Sequence, residues 1–445
     1  MITMQRFALR TWLIAISATA LLLVSAHVFL SRESSVPATA LQALANWYTE
    51  NGPASKNPSS AAEASSQDWK KVEIDGGFNG EALQDICSEG NRPWTPDIAF
   101  DCPPRVGGIG NVRMTFLNCL RLAIGARGSF ILPQVITRSE TNLSFVGQGF
   151  APFDYFFDPD HFRQTLQSYC PQLTLYDTFE DFQQAQNGTA VTVPLDPKGE
   201  LGGQIGMVSG YTMAKAERWP SVFDSWLAKK DAGRSVHIAL GSQWNLIYIW
   251  PTAFDRPDLV RTFSGLMRPN RAIPPLAFAV LDSLERDYAV QKGPFPGSGN
   301  FVGLHLRTEM DAVKHGFATY EVLAKYYKKR LFGSERDDSF DNSTVVYVAS
   351  GDPQSIARFK KDFEPLRVVT KYDILTSTSL SPLTFDQQAL VDMLVLERSA
   401  YFFGSASSSY SWLLALRRAA AVNNVVGGYP KPAVDLSVKV TTCLT

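Results

Sequence analysis

Cysteine is scarce in this chain: five residues in 445, none of them in a Cys-x-x-Cys pair, which excludes metal sites built on that spacing. Net charge is equally slight. With 42 basic and 43 acidic side chains the formal charge is −1, so there is no basic excess of the kind nucleic-acid binders carry, and nucleic acid is excluded as a partner. No glycine loop continues into Gly-Lys-Ser/Thr, and none keeps the Gly-x-Gly-x-x-Gly spacing, so neither the Walker nor the dinucleotide fingerprint is present. No repeat recurs at solenoid or propeller spacing. What the chain does have is apolar and aromatic content, 45% and 12%, in a length sufficient for two core-forming domains.

One long uncharged run stands apart. Trp12–Leu30 contains no acid or base except His27. As a helix it spans ~28 Å, close to the hydrocarbon thickness of a bilayer. Arg6 and Arg10 precede it, which leaves residues 1–11 in the cytosol and sends the remainder across the membrane. Small residues around Ser25-Ala26 keep a cleaved signal peptide open as the alternative, and either reading delivers the body to the secretory pathway. Three sequons, at Asn142, Asn187 and Asn342, agree with that address. In an oxidising lumen Cys87 and Cys102 could close a short loop, although spacing leaves the connectivity open, and the odd count leaves at least one cysteine free or paired between chains. Residues 31–68, rich in Ala, Ser, Pro and Asn, read as a stem.

From Trp69 onward, apolar periodicity sets out alternating strands and helices. In the first part the spacing predicts an amphipathic helix over Val112–Gly125, then strands at Ser129–Pro133 and Ser235–Leu240. A proline-rich passage from Pro269 to Gly297, with a helix over Leu276–Tyr288, suits an interdomain connection. In the second part strands are expected at Asn300–Leu306, Thr344–Ala349, Arg367–Thr370 and Tyr401–Phe403. Helices are expected at Tyr320–Leu331, Pro353–Phe363, Asp386–Arg398 and Ser408–Ala420. Such alternation means parallel sheets wrapped by helices, with ligands at the carboxyl ends of strands. The expected division is 69–296 for an N-terminal Rossmann-like domain with its linker and 297–445 for a second.

Three constellations carry chemistry. At the end of a buried strand, His305-Leu-Arg307 puts two polar side chains on one face of the sheet edge. The Arg307 guanidinium suits a pyrophosphate, and pairing with Glu309 or Asp311 is the alternative. Near the C-terminus, Gly404-Ser-Ala-Ser-Ser408-Ser409-Tyr410 joins a strand to a helix start, where N–H groups and the hydroxyls of Ser408 and Ser409 can meet phosphate. A plain serine cap is the commoner use of such residues. The third is Gly107-Gly108-Ile-Gly110-Asn111 before the first helix. Its glycines permit close backbone approach to a ligand, and Asn111 can bond a phosphate, bond an acceptor or cap the helix.

Taken in order, these motifs resemble the GDP-fucose O-fucosyltransferase superfamily. So do Asp386-Gln-Gln, Asp392, the Tyr347-to-Pro353 strand–turn and the plant-type segment Asp158-Pro-Asp160-His161-Phe162. The similarity runs from Val106 to about Arg418, thinning between Leu173 and Phe263. It implies a fold of two facing Rossmann-like domains behind the anchor, of the GT-B type. It also implies an inverting, metal-independent transferase with GDP-fucose as donor, a glycoprotein or glycan acceptor and no cofactor. By the resemblance, Arg307 binds the pyrophosphate and aids its departure, and His305 contacts the nucleotide sugar. Asp392 holds the nucleotide, while Ser408, Ser409 and Tyr410 line the phosphate and base site. Asn111, catalytic with Arg307, lies at the acceptor–donor junction, and Gly108 and Gly110 bind substrate. Asp158-Pro-Asp160 falls outside the expected donor domain and reads as a turn with a helix cap, not a metal motif. A transferase using GDP-mannose or a rhamnosyl nucleotide, and a silent nucleotide-sugar-binding or scaffold protein, are the competing expectations. The expected location is the Golgi or ER membrane, single-pass, with the catalytic body in the lumen.

Overall fold

The computed structural model describes residues 68–438, apart from breaks of which the longest are 72–77, 208–212, 242–249, 334–339 and 424–433. All of this lies in one compact unit, 54–440. The Trp12–Leu30 segment, the stem, Gly107 and Cys443 lie outside the described residues. Among the described residues no helix is long and apolar enough to cross a membrane.

Helix α1 (Glu81–Ser88) leads to strand β1 (Thr95–Asp101), α2 (Ile109–Ala126) and β2 (Gly128–Ile131). A hairpin follows, β3 (Val135–Thr137) with β4 (Gly149–Ala151), and then α3 (Pro159–Tyr169), β5 (Leu175–Tyr176) and α4 (Phe179–Ala185). This part continues through β6 (Val191–Leu195), α5 (Pro197–Ile205), α6 (Trp219–Leu227) and β7 (Val236–Leu240). Its five strands form one parallel sheet in the order β5-β2-β1-β7-β6.

Helices α7 (Pro257–Leu266) and α8 (Ile273–Tyr288) carry the chain to β8 (Gly299–His305), α9 (Met310–Lys314) and α10 (Tyr320–Phe332). Next come β9 (Val345–Ala349), α11 (Pro353–Asp362), β10 (Arg367–Val369) and the short helices α12 (Lys371–Ile374) and α13 (Ser377–Leu380). Helix α14 (Phe385–Glu397), β11 (Ser399–Ser405), α15 (Ser409–Asn423) and β12 (Val434–Val438) complete it. This second sheet is also parallel, ordered β10-β9-β8-β11-β12. In chain order that is third, second, first, fourth, fifth: a doubly wound sheet that reverses direction between β8 and β11. The crevice at such a reversal, beyond the carboxyl ends of the two strands, is where ligands bind in open α/β sheets.

Local chemistry sets the boundaries. Asp158 and Asp352 cap α3 and α11, each followed by proline in the first turn, and each carboxylate accepts two backbone N–H bonds. Asp158 and Asp160 also pair with Arg271, as expected for a cap and turn. Thr384 caps α14 in a reciprocal box with Gln387. β9 is buried at every position, as a strand covered on both faces must be.

Two expectations are corrected. Helix α2 is not amphipathic: every residue except Asn111 and Gly125 is buried, Arg113, Asn118 and Arg121 included. It is enclosed on several sides, with the Trp219 indole N–H donating to Leu122 O at 2.9 Å and α15 lying against its N-terminus. Arg121 is accommodated by a bidentate pair with Asp255, at 2.7 and 3.0 Å, under the Trp250 ring. The cysteines do not pair Cys87 with Cys102. The disulfides are Cys87–Cys170 and Cys102–Cys119. Cys87 closes α1 against the end of α3, and Cys102 follows β1 under α2, so chain crossings and not sequence proximity choose the partners.

Candidate active site

β8 is a hydrophobic run whose carboxyl end delivers His305 and, two residues on, Arg307. His305 is buried and fixed on three sides. Its Nδ1 lies 2.9 Å from Ser411 Oγ, its ring stands 4.6 Å from the Tyr410 ring, and its carbonyl accepts from Tyr327 OH at 2.9 Å. Burial pushes the imidazole pKa down to about 4, outweighing the attraction of Glu309. At neutral pH His305 is therefore uncharged, a hydrogen-bonding group and not a cation for phosphate.

Arg307 is engaged on both arms of its fork. Nη1 donates to Glu309 Oε2 at 2.6 Å and Nη2 to Asp311 Oδ2 at 2.8 Å, so the pairing left open by the sequence is present, and with both carboxylates. Burial opposes all three charges, yet the pairing wins: the Arg307 pKa is raised and those of Glu309 and Asp311 are held below the usual carboxylate range. Glu309 also accepts from the Gly351 N–H at 2.7 Å. On its other side Asp311 meets Arg138, from the loop after β3, and Arg138 reaches on to Asp386 at the start of α14.

The helix start beyond β11 faces the same place. Ser408 N–H donates to Ser405 O and Ser408 O accepts the first bond of α15, from Trp412 N–H, so Ser408 stands at the cap position. The hydroxyl of Tyr410 donates to Ala389 O at 3.0 Å, and burial raises its pKa well above the ordinary value. Against this turn lies the start of α2. Gly108 is its cap, without a side-chain bond, and a Cβ added there would meet nothing within 4 Å. Asn111 is not the cap; it sits in the first turn with its N–H on Gly108 O. Gly110 is different in kind: a Cβ there would lie 2.5 Å from both Ser409 C and Tyr410 N. The close backbone approach that the glycines permit is, at Gly110, an approach to α15. Gly110→Ala is therefore expected to force α2 and α15 apart, lowering stability by roughly 1–3 kcal/mol as overpacking does. Gly108→Ala should be nearly neutral in stability. Chemical denaturation of the two variants checks the contrast, and equal behaviour would contradict it.

Asp392 is enclosed. Its Oδ1 accepts from Tyr347 OH at 2.7 Å and its Oδ2 from Lys371 Nζ at 2.6 Å, with 4% of the residue exposed. Burial opposes the Lys371 charge, but Asp392 holds its pKa above the ordinary value. Thus the structure brings His305 together with Tyr410 and Ser411, and Gly110 with Ser409 and Tyr410. It sets Asp392 behind them in a buried triad whose members Lys371 and Tyr347 were not read as site residues. Arg138 and Ser411 also escaped the sequence. Ser411 sat unremarked in the serine run, whereas nothing local to Arg138 signals a partner 173 positions away. A groove between α8 and α12, lined by Asp282, Asp287 and Asp373 among others, contains none of these residues.

A doubly wound sheet with an arginine and a helix start at its switch point has the layout of a phosphorylated-ligand site, and the family matched by its second part is one of glycosyltransferases. Residues 258–421 match the family model described as GDP-fucose protein O-fucosyltransferase. The match starts well after the Gly108–Asn111 turn, a narrower span than the motifs suggested. Among solved structures, POFUT1 in complex with GDP-fucose is similar at 14% identity, covering 74% of this chain and 96% of that chain, with a TM-score of 0.43. The fucosyltransferase NodZ from Bradyrhizobium is similar at 12% identity, covering 73% and 93%, with a TM-score of 0.38. At these identities and scores neither structure carries an argument about function. A search of curated proteins gives no match.

Proposed function

We propose that this protein transfers fucose from GDP-fucose to a hydroxyl of a glycoprotein or glycan, with inversion at the sugar carbon and without a metal ion. The observation that carries the reading is the convergence, at the β8–β11 switch point, of His305 with the starts of α15 and α2, with Arg307 two residues beyond His305. Breaking the bond between the sugar C1 and the β-phosphate oxygen leaves negative charge on GDP. A guanidinium fork and helix-start N–H groups answer that charge where it develops. In the described state Arg307 bonds Glu309 and Asp311, so donor binding exchanges at least one of those bonds for phosphate oxygens.

In this reading the neutral His305, set by Ser411, bonds the nucleotide sugar. Ser408 and Ser409 bond phosphate, and Gly108 and Asn111 border the open side where the acceptor enters. Tyr410 and Asp392 shape the nucleotide side, Asp392 through Lys371 and Tyr347. Residues 69–296 form the acceptor-side domain and 297–445 the donor domain. A panel of nucleotide sugars, assayed for turnover with and without EDTA, tests the reaction. GDP-fucose should be preferred and EDTA without effect; a preference for GDP-mannose or a rhamnosyl donor, or loss restored by manganese, overturns it.

The proposed setting is the lumen of the Golgi or ER, with residues 1–11 cytosolic, 12–30 spanning the membrane and 31–68 as the stem. Two disulfides and the exposure of Asn142, Asn187 and Asn342 support it. Protease added to sealed microsomes should spare the body, and glycosidase should shift its mobility; cleavage of the body in intact vesicles counts against the orientation.

A further inference from the structure

Arg138 lies outside the matched region and outside every motif above, yet it shares a carboxylate, Asp311, with Arg307. It follows β3, is buried, and donates from Nη1 to Asp311 Oδ2 at 2.9 Å and from Nε to Asp386 Oδ1 at 3.3 Å. Asp311 Oδ2 is also the oxygen that accepts from Arg307 Nη2 at 2.8 Å. One carboxylate oxygen thus joins two guanidiniums, one from each sheet's side of the molecule. Arg138 is itself held in place. The backbone beside it is tied by Ser139 N–H to Phe145 O at 2.9 Å, its guanidinium stands 5.8 Å from the Phe385 ring, and the neighbouring Glu140 accepts from Phe385 N–H.

We propose that Arg138 is a positioning residue for Arg307: it keeps Asp311 paired while Arg307 turns to the donor pyrophosphate. This rests on the reading of Arg307 as the pyrophosphate ligand. A carboxylate as buried as Asp311 is unfavourable without a cation. If Arg307 were its sole cation, Asp311 would compete with the donor for the same fork. With Arg138 in place, Arg307 can leave Asp311 without stranding its charge, and Glu309 retains the Gly351 N–H in the same way.

The test compares Arg138→Gln, Asp311→Asn and the double variant in the full chain, measuring KM and kcat with GDP-fucose alongside melting temperature. Arg138→Gln is expected to raise donor KM and lower kcat/KM by roughly ten- to a hundredfold, because Asp311 then holds Arg307 back. Adding Asp311→Asn should recover most of that loss, since a neutral side chain no longer competes. Should Arg138→Gln fail to fold, Arg138→Lys makes the same comparison at smaller amplitude, about threefold, again reversed by Asp311→Asn. An Arg138 that only braces the fold would lower melting temperature and active fraction, leave KM unchanged and show no recovery in the double variant. Either unchanged KM or absent recovery overturns the proposal. Wild-type turnover by Arg307→Lys would instead overturn the reading of Arg307 beneath it.

Discussion

Arg307→Lys is expected to reduce GDP-fucose turnover by roughly a hundred- to a thousandfold, the loss typical when one stabiliser of developing charge is removed, or ~2.7–4 kcal/mol. Lysine keeps the charge but not the planar fork, so it should be nearly as inactive as alanine. Stability separates the two substitutions. Arg307 holds two carboxylates whose side chains are only 8% and 10% exposed. Alanine deprives both of their shared cation, a change that in buried pairs costs about 3–5 kcal/mol, here softened by Arg138 and the Gly351 N–H. Lysine preserves the charge balance and should melt close to wild type. Measuring turnover and melting temperature on the same preparations gives the decision. A lysine variant that melts normally and turns over near the wild-type rate would remove Arg307 from the chemistry.

The second large effect falls on stability alone. Cys87 and Cys170 are 83 residues apart in sequence, and tying chain ends at that separation restricts the unfolded state strongly. Replacing either cysteine by serine is expected to lower stability by roughly 4–5 kcal/mol, against about 3 kcal/mol for the 17-residue separation of Cys102 and Cys119. Denaturant titration of the two single variants, both under oxidising conditions, should give that ranking. Equal losses, or the reverse order, would mean that strain and local packing outweigh loop length here.

The central strands of the second sheet were legible because they are buried almost throughout and are mainly apolar. Val345–Ala349 and Gly299–His305 could scarcely be anything else. Its helix starts were legible from capping chemistry, Asp352-Pro353 above all. β1 was not: Thr95-Pro-Asp opens it with residues that usually mark a turn, and only Ala99 and Phe100 within it are fully buried. β5, with two residues, and β6, mostly exposed, offer too little pattern to be read. At the site, the residue types of His305, Arg307 and the serine turn pointed to phosphate, and the strand-end spacing placed them on one edge. What spacing does not contain is what long-range folding adds. Gly110 meets α15, Arg138 meets Asp311, and Lys371 closes on Asp392 only after the sheets have assembled.

The contact of Gly110 with Ser409 and Tyr410 has a consequence for the order of events on the ribosome. Residues from near position 110, near 305 and near 410 meet in one place, so no nascent chain that stops short of about residue 410 can assemble it. Earlier parts are under no such restriction. Both cysteine pairs lie within the first 170 residues and can close while the second sheet is still being synthesised. Helix α15, which completes that meeting place, is translated only after β8, β9, β10 and β11. A chain cut short within α15 would therefore lack the assembled site while keeping a covalently locked first half.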